Sequence, residues 1–232
     1  MEIKVLAGAE SVAREGAAII AADAQAALAA RGRFILAVSG GQTPWLMLRE
    51  LAGEDIPWDR VHVAQVDERV APEGDPDRNL THLCGSLLKD APIRAEQVYA
   101  MPVEAAALEA AASRYTETLH IIAGSPPVFD LIHLGLGPDG HTASLVPDDP
   151  VLSVTSADVA LTRVYQGRRR MTLTYPIINR ARDILWLVTG DDKAAMLKRL
   201  RNGDKSIPAG RIRHHDALMI ADRAAARQLE PG

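Results

Sequence analysis

The stretch 130-DLIHLGLGPDGHTASLVPDDP-150 places an apolar, strand-like run directly before a glycine-rich turn. Residues 135–140 have the spacing G-x-G-x-x-G, which in dinucleotide-binding folds joins a strand to a long helix. Here Pro147 and Pro150 follow within ten residues of the last glycine, so too little chain is left for that helix. The turn is better explained as a strand-end loop that presents a side chain, and the residue that follows it is His141.

Alternating strands and helices surround this stretch on both sides. Short continuous apolar runs predict buried parallel strands, and longer segments with apolar residues at helical spacing predict helices. The predicted strands are residues 2–6, 34–38, 61–66, 98–101, 129–134, 159–165, 171–174, 184–188 and 217–220. The predicted helices are residues 10–30, 79–88, 104–123 and 191–201, one that begins at residues 43–44, and a last one after the final strand. This order predicts an α/β fold, a mostly parallel doubly wound sheet with helices on both faces.

Length and composition narrow the class of protein. The chain has 232 residues, 47% of them hydrophobic, which predicts a single domain over residues 1–232 with a sizeable core. A net charge of −4 argues against general nucleic-acid binding, although a local basic pocket for an anion stays compatible with it. The most apolar run, residues 17–30, carries Asp23 and Gln25, which argues against a membrane span. Cys84 is the single cysteine and the start of the chain does not resemble a signal peptide, so we expect a reducing cytoplasm.

Reactive side chains follow four of the predicted strands. Ligands of doubly wound sheets bind at the carboxyl ends of the strands, so these four segments are expected to form one site. They are Ser39–Thr43, Asp67–Arg69, Gly135–His141 and Thr189–Lys193.

The first segment is a glycine turn before a helix. Gly40 and Gly41 let an anion approach the backbone, and the helix dipole favours negative charge at that end. Thr43 is the predicted helix cap, with Pro44 at the first helical position. A tight turn that binds nothing would have the same sequence, so the residues by themselves leave both interpretations open.

His141 is the sharpest catalytic candidate, because Asp139 stands two residues before it in the glycine turn. An imidazole with a carboxylate partner can act as a general base near neutral pH. None of the six other histidines forms a metal-binding pattern such as H-E-x-x-H, so no metal site is predicted.

Cationic side chains accompany the other strand ends. Arg69, after Asp67, could bind phosphate or carboxylate through its forked guanidinium, although this segment taken alone is more typical of a surface cluster of ion pairs. The run 168–170 is three arginines, a pattern that usually forms a solvated face. Lys193 falls in the first turn of a predicted helix, where a cation opposes the helix dipole, which indicates an anionic partner nearby.

Together these motifs resemble the 6-phosphogluconolactonase family, which is related to the glucosamine-6-phosphate deaminases. The resemblance runs from about Phe34 to Ala226 and rests on five motifs in the family's order. They are Ser39-Gly-Gly-Gln-Thr-Pro44, Val66-Asp-Glu-Arg69, Gly135-Leu-Gly-Pro-Asp-Gly-His-Thr-Ala-Ser-Leu-Val-Pro147, Arg170-Met-Thr-Leu-Thr174 and Gly190-Asp-Asp-Lys-Ala194. The resemblance implies hydrolysis of 6-phospho-D-glucono-1,5-lactone to 6-phospho-D-gluconate in the oxidative pentose phosphate pathway.

The resemblance also implies a role for each candidate. His141 would take a proton from water, Asp139 would position it, and Arg69 would anchor the substrate or stabilise the oxyanion. The phosphate and the rest of the substrate would be held by Ser39, Gly40, Gly41, Thr43, Asp67, Lys193 and either Arg168 or Arg170. The choice of arginine stays open, because Gln166-Gly-Arg-Arg169 replaces a Pro/Lys-rich run of the family. No cofactor or metal is expected. The expected partner is a small phosphorylated sugar lactone, without nucleic acid or membrane, and a homo-oligomer is compatible with the sequence.

Three alternatives remain at this point. The deaminases of the superfamily have a glutamate supporting their catalytic histidine where this chain has Val146, which favours the lactonase. Ala37-x-Ser39-x-Gly41 is one residue away from the nucleophile motif G-x-S-x-G, so a serine esterase is the second. A regulator that senses sugar phosphates is the third, but such proteins usually carry an N-terminal DNA-binding segment, whereas this sequence starts with the first strand.

Overall fold

Two β-sheets lie in the computed structural model, which describes residues 1–229. The strands are β1 (Glu2–Leu6), β2 (Phe34–Val38), β3 (Val61–Gln65), β4 (Asp67–Arg69), β5 (Val98–Tyr99), β6 (Leu131–Gly135), β7 (Val159–Leu161), β8 (Arg170–Leu173), β9 (Asp183–Val188) and β10 (Ala217–Asp222). The helices are α1 (Ala9–Arg31), α2 (Gln42–Ala52), α3 (Asn79–Leu83), α4 (Leu108–Ala123), α5 (Tyr175–Arg180) and α6 (Ala194–Arg201). Within these described residues, no helix is both long enough and apolar enough to cross a bilayer.

The large sheet has the strand order β1-β10-β9-β6-β2-β3-β5, and all its neighbouring strands run parallel. Successive side chains of a strand point to opposite faces, so the sheet divides the core in two. Phe34 and Leu36 of β2 pack in one layer with Ile20 of α1. Ile35 packs in the other layer with Leu119 of α4. The predicted α/β fold, a parallel sheet covered by helices on both faces, is confirmed.

The centre of this sheet is a topological switch point. From β2 the chain continues outward to β3 and β5, whereas from β6 it continues to β9 and β10 on the other side. Because β2 and β6 are neighbours, the loops after them separate and leave a crevice at their carboxyl ends. The Ser39–Thr43 turn and the Gly135–His141 turn follow these two strands, so the fold brings both to the crevice.

The small sheet was not anticipated from the sequence. It has the order β4-β8-β7 and is antiparallel. The segment Asp67–Arg69, expected as a loop after a strand, is itself a strand and pairs with β8, which sets Arg69 opposite Arg170. Pairing between segments so far apart along the chain leaves no local periodicity for sequence reasoning to detect.

The start of α2 differs from the prediction. The helix begins at Gln42 after Gly41, which has φ 132°, so Thr43 is not the cap. The Thr43 hydroxyl instead hydrogen-bonds the hydroxyl of Thr189 at 2.6 Å and joins the first and last of the four strand-end segments. Glycine at the cap position meets the positive φ that other residues rarely adopt.

The bounds of several other elements also differ from the prediction. The helix predicted over residues 79–88 is α3 followed by a π-helical turn, Cys84–Leu88. The helix predicted from residue 104 begins at Leu108, and that predicted from residue 191 begins at Ala194 after a 3-10 turn. The last predicted helix is wrong for the described part of its segment, because residues 223–228 form turns and residue 229 a bend.

Candidate active site

A cavity of about 500 Å³ opens at the carboxyl ends of the central strands. All four strand-end segments contribute to its wall. The predicted site residues that line it are Ser39, Gly40, Gly41, Thr43, Asp67, Arg69, His141, Arg170 and Lys193. Asp139 is behind the wall in contact with His141. The structure therefore collects in one place nearly all the side chains that the sequence singled out separately.

The imidazole of His141 lines one side of the cavity, and the carboxylate of Asp139 pairs with it from behind the wall. Oδ1 of Asp139 lies 2.5 Å from Nδ1 of His141 and also accepts the main-chain N–H of that residue at 3.1 Å. Partial burial tends to raise the pKa of Asp139, but hydrogen bonds from His141 and Tyr165 and the charge of the imidazole outweigh burial and hold the pKa well below its ordinary value. Asp139 is therefore ionised near neutral pH, and Nδ1 of His141 donates to it. The lone pair of the neutral ring then lies on Nε2, which can accept a proton.

The glycines of the turn have a steric purpose. A Cβ on Gly137 would stand 2.1 Å from Nδ1 of His141, so any other residue there would displace the imidazole. The main chain of Gly137 also donates to the carbonyl oxygen of His141 at 2.8 Å. Gly140 has φ 85°, and a Cβ there would stand 2.8 Å from Cβ of Ile207. Gly137 is thus required by the position of His141 and Gly140 by close packing against Ile207, whereas a Cβ on Gly135 would meet no atom within 4 Å.

The turn before α2 offers main-chain donors to the cavity. N–H groups in the first turn of a helix have no acceptor within the helix and favour an anion. Gly40 also packs closely, since a Cβ there would lie 1.9 Å from Oδ1 of Asn79. A side chain at residue 40 would therefore displace Asn79 from the wall.

Ser39 faces a buried histidine. Its hydroxyl donates to the carbonyl oxygen of His133 at 3.0 Å, and its main-chain N–H donates to Nδ1 of the same residue at 3.3 Å. Burial lowers the pKa of His133 to about 3, so this imidazole is neutral at physiological pH. The Ser39 hydroxyl proton is thus committed to the main chain, which disfavours Ser39 as a nucleophile.

Two arginines approach the cavity from the small sheet. Arg69 donates from Nη1 to the carbonyl oxygen of Asp77 at 2.9 Å and to Oδ1 of Asn79 at 2.7 Å. Arg170 is 5% exposed, and within residues 1–229 its Nε has no hydrogen-bond partner. Burial lowers the pKa of Arg170, with the positive charge of Arg69 adding to this effect and nearby carboxylates opposing it. A buried, incompletely paired guanidinium at a cavity wall favours an anionic ligand.

Lys193 and Arg168 are both paired with carboxylates in this structure. Nζ of Lys193 contacts Oδ2 of Asp192 at 2.7 Å at the rim of the cavity. Arg168 pairs with Asp75 at 3.0 Å and with Asp77 at 3.1 Å, and it does not belong to the cavity wall. Of the two arginines left open by the sequence, Arg170 is the one that faces the cavity.

Carboxylates and amides beside the cavity hold the wall together. Asp67 accepts the hydroxyl of Ser144 at 2.5 Å and Nδ2 of Asn79 at 3.2 Å. Glu68 is fully buried and pairs with Nε of Arg78 at 3.0 Å. The contacts of Asp67 with Asn79 and of Glu68 with Arg78 tie the loop after β4 to that strand and so help to set the position of Arg69 and Asn79.

Sequence reasoning overlooked Asn79 and Tyr165. Asn79 begins a predicted helix, and its polar side chain beside the Asp67–Arg69 segment carried no motif. Tyr165 falls at the end of a predicted strand and belongs to none of the motifs, yet its hydroxyl donates to Oδ2 of Asp139 at 2.8 Å. Within residues 1–229, no three His, Cys, Asp or Glu side chains cluster in a way that could hold a metal ion.

Comparison with known proteins extends these observations. A model of the family described as glucosamine-6-phosphate isomerases/6-phosphogluconolactonase matches residues 7–220. The chain is 36% identical over 213 residues to a 6-phosphogluconolactonase of Synechocystis sp., covering 88% of each protein. It is 34% identical over 240 residues to the human 6-phosphogluconolactonase, covering 98% of this chain and 93% of the human protein. A crystal structure of 6-phosphogluconolactonase from Thermotoga maritima is similar with a TM-score of 0.85 and 25% identity, over 95% of this chain and 98% of that one.

Proposed function

Because this chain belongs to the glucosamine-6-phosphate isomerase/6-phosphogluconolactonase family, we propose how its cavity carries out the reaction of its curated relatives. The protein hydrolyses 6-phospho-D-glucono-1,5-lactone to 6-phospho-D-gluconate, a reaction of the pentose phosphate pathway. It is thus a hydrolase that acts on a lactone. The observation that carries the proposed mechanism is the 2.5 Å hydrogen bond between Asp139 and His141 at the cavity wall.

The proposed chemical step uses His141 as a general base. Hydrolysis of a lactone needs a base for the attacking water and a donor for the developing oxyanion. Nε2 of His141 takes a proton from water while the water oxygen bonds to the carbonyl carbon, and Asp139 stabilises the imidazolium that forms. When the bond between the carbonyl carbon and the ring oxygen breaks, the imidazolium returns the proton to that oxygen, which becomes a hydroxyl group of the product. A δ-lactone is already a reactive ester, so the proposed steps use no metal ion.

In this proposal, different donors around the cavity bind different parts of the substrate. Arg69, fixed by Asn79, anchors the lactone or stabilises its oxyanion in this proposal. The main-chain N–H groups at the start of α2, Arg170 and Lys193 bind the phosphate. The support is their common position at one cavity wall, where Asp67 already accepts a hydrogen bond from Ser144. Lys193, which contacts Asp192 in this structure, would exchange that contact for the phosphate.

The deaminase branch of the family is the runner-up activity. Its members have a glutamate that supports the catalytic histidine. The matching residue here is Val146, which is apolar and 2% exposed. The carboxylate that contacts His141 in this chain is Asp139 instead. This difference favours water activation on a lactone over deamination of an amino sugar.

The ligand class, the partners and the location of the protein complete the proposal. The ligand is a phosphorylated sugar lactone, and the net charge of −4 supports the absence of a nucleic-acid partner. A cytoplasmic location is inferred from the single cysteine, Cys84.

A coupled assay on the purified protein tests the activity. Formation of 6-phosphogluconate would be followed through its dehydrogenase, with the spontaneous hydrolysis of the lactone subtracted. In parallel, ammonia release would be measured with glucosamine 6-phosphate. We expect acceleration of lactone hydrolysis and no ammonia release, and the reverse pair of results would move the protein to the deaminase branch.

A further inference from the structure

Tyr165 contacts the catalytic pair but has no part in the mechanism above. Its hydroxyl donates to Oδ2 of Asp139 at 2.8 Å, while Oδ1 of the same carboxylate lies 2.5 Å from Nδ1 of His141. Each carboxylate oxygen thus has its own partner. Rotation of the carboxyl group would break both hydrogen bonds, so the tyrosine and the histidine hold it from two sides.

The backbone keeps Tyr165 in place through a tight turn. Its main-chain N–H donates to the carbonyl oxygen of Arg168 at 2.9 Å, and Arg168 returns a hydrogen bond at 3.3 Å. The two central residues, Gln166 and Gly167, have φ of 50° and 82°, as in the type I′ turns of hairpins. The ion pair between Arg168 and Asp75 ties the turn to the loop after β4. Tyr165 therefore lies at the tip of a hairpin, and the ion pair of Arg168 helps to hold that tip in place.

The same tyrosine contacts the arginine proposed to bind phosphate. The guanidinium carbon of Arg170 lies 4.9 Å from the centre of the Tyr165 ring. Gln166 connects the two as well, because it accepts from Nη2 of Arg170 at 3.0 Å and donates to the Tyr165 hydroxyl at 3.3 Å. The hydroxyl is a dependable donor, since burial, and then the hydrogen bond and charge of Asp139, raise the pKa of Tyr165 to about 12.

We infer that Tyr165 is a positioning residue for lactone hydrolysis, whose hydroxyl holds Asp139 in the orientation that engages Nδ1 of His141 and leaves Nε2 to accept the proton of water. Tyr165 acts through Asp139 and touches neither the water nor the lactone. The inference rests on the proposed role of His141 as the base. Tyr165 lies beside residues 166–169, where this sequence departs from the family pattern. The inference therefore rests on contacts of this chain and not on the family motifs.

The test is Tyr165→Phe, which keeps the ring beneath Arg170 and removes only the hydroxyl. We expect kcat to fall about tenfold and KM to stay within about twofold, because the lost hydrogen bond to an ionised group orients the base and does not bind substrate. The matched control is Tyr115→Phe on α4, whose hydroxyl donates to the carbonyl oxygen of Tyr99 at 2.8 Å and has no contact with the catalytic pair. That variant should keep the kcat of the wild type.

A double-mutant cycle separates action through Asp139 from general damage. If Tyr165 works through that carboxylate, adding Tyr165→Phe to Asp139→Ala causes no further loss of kcat. A wild-type kcat in Tyr165→Phe, or a further loss of about tenfold in the Asp139→Ala background, overturns the inference. His141→Ala is assayed alongside: retained turnover there refutes the general-base mechanism itself. Loss in His141→Ala with a wild-type kcat in Tyr165→Phe refutes only the role of Tyr165.

Discussion

Gly137 and His141 are in such close contact that a Cβ on the glycine would stand 2.1 Å from the imidazole Nδ1 and 2.3 Å from Cε1. Real Cβ atoms do not approach ring atoms to these distances, so a side chain at residue 137 must push the histidine away or distort the turn. Asp139, which accepts from the same imidazole, would lose its alignment with it. The glycine is thus a condition for the geometry of the Asp139–His141 pair.

Gly137→Ala should therefore reduce kcat about a hundredfold, the cost of misplacing a catalytic group by roughly 1 Å. The change is measured by steady-state lactone hydrolysis, with far-UV circular dichroism to verify folding. Gly85→Ala is the matched control, because a Cβ on this exposed glycine meets no atom within 4 Å. Equal activity of the two alanine variants would contradict the proposed close packing.

His141→Ala should lower kcat by roughly 10²–10⁴-fold, the range for loss of a general base. The measurement is the initial rate of lactone hydrolysis at saturating substrate, corrected for the spontaneous reaction, which could otherwise hide a large loss. Binding of the phosphorylated product should be largely retained, because the phosphate contacts are assigned to other residues. A folded variant with near wild-type turnover would remove His141 from the mechanism.

Arg170→Ala and Lys193→Ala should lower kcat/KM on the phosphorylated lactone by about tenfold to a hundredfold, since a hydrogen bond to an ionised group contributes roughly 1.5–3 kcal/mol. On unphosphorylated gluconolactone both variants should be close to the wild type, because the partner of the missing cation is absent there. The comparison variant is Arg168→Ala, whose partners are Asp75 and Asp77. We expect any loss in that variant to be the same for the two lactones. A loss restricted to the phosphorylated substrate would instead transfer the phosphate contact to Arg168.

The stability of the protein should depend on pH through His133. Burial lowers the pKa of this histidine from 6.5 to about 3 in the folded state. Between these values the unfolded chain binds a proton that the folded protein does not, so acid favours unfolding. The contribution is fully present above pH 6.5 and declines as pH falls towards 3, by up to about 1.4 kcal/mol per pH unit.

His133→Gln removes this titration and keeps a polar side chain beside Ser39. Urea unfolding of both proteins between pH 7 and about 4 should show the free energy of unfolding of the wild type falling more steeply with acid. Asp23, whose pKa is raised to about 6 by burial and by the charge of Asp183, is common to both proteins and cancels in the difference. Parallel pH profiles of the two proteins would show that His133 is not the titrating group.

The sequence by itself determined the α/β class, the bounds of two strands and the pairing of Asp139 with His141 in one turn. The predicted strands over residues 2–6 and 34–38 agree with β1 and β2 to the residue. These features are local: burial on both faces of a parallel strand leaves a continuous apolar run, and Asp139 and His141 share one turn. The five motifs also indicate the family and its reaction without reference to the geometry.

Only the tertiary structure decided which cationic side chains face the cavity and which do not. The small sheet pairs β4 with β8, so Arg69 faces Arg170 across segments that are distant along the chain. The hairpin tip turns Arg168 towards Asp75 and brings the Tyr165 hydroxyl to Asp139. Neither contact has a periodicity or spacing that a sequence could display, because each depends on which strands pair and on where the chain reverses.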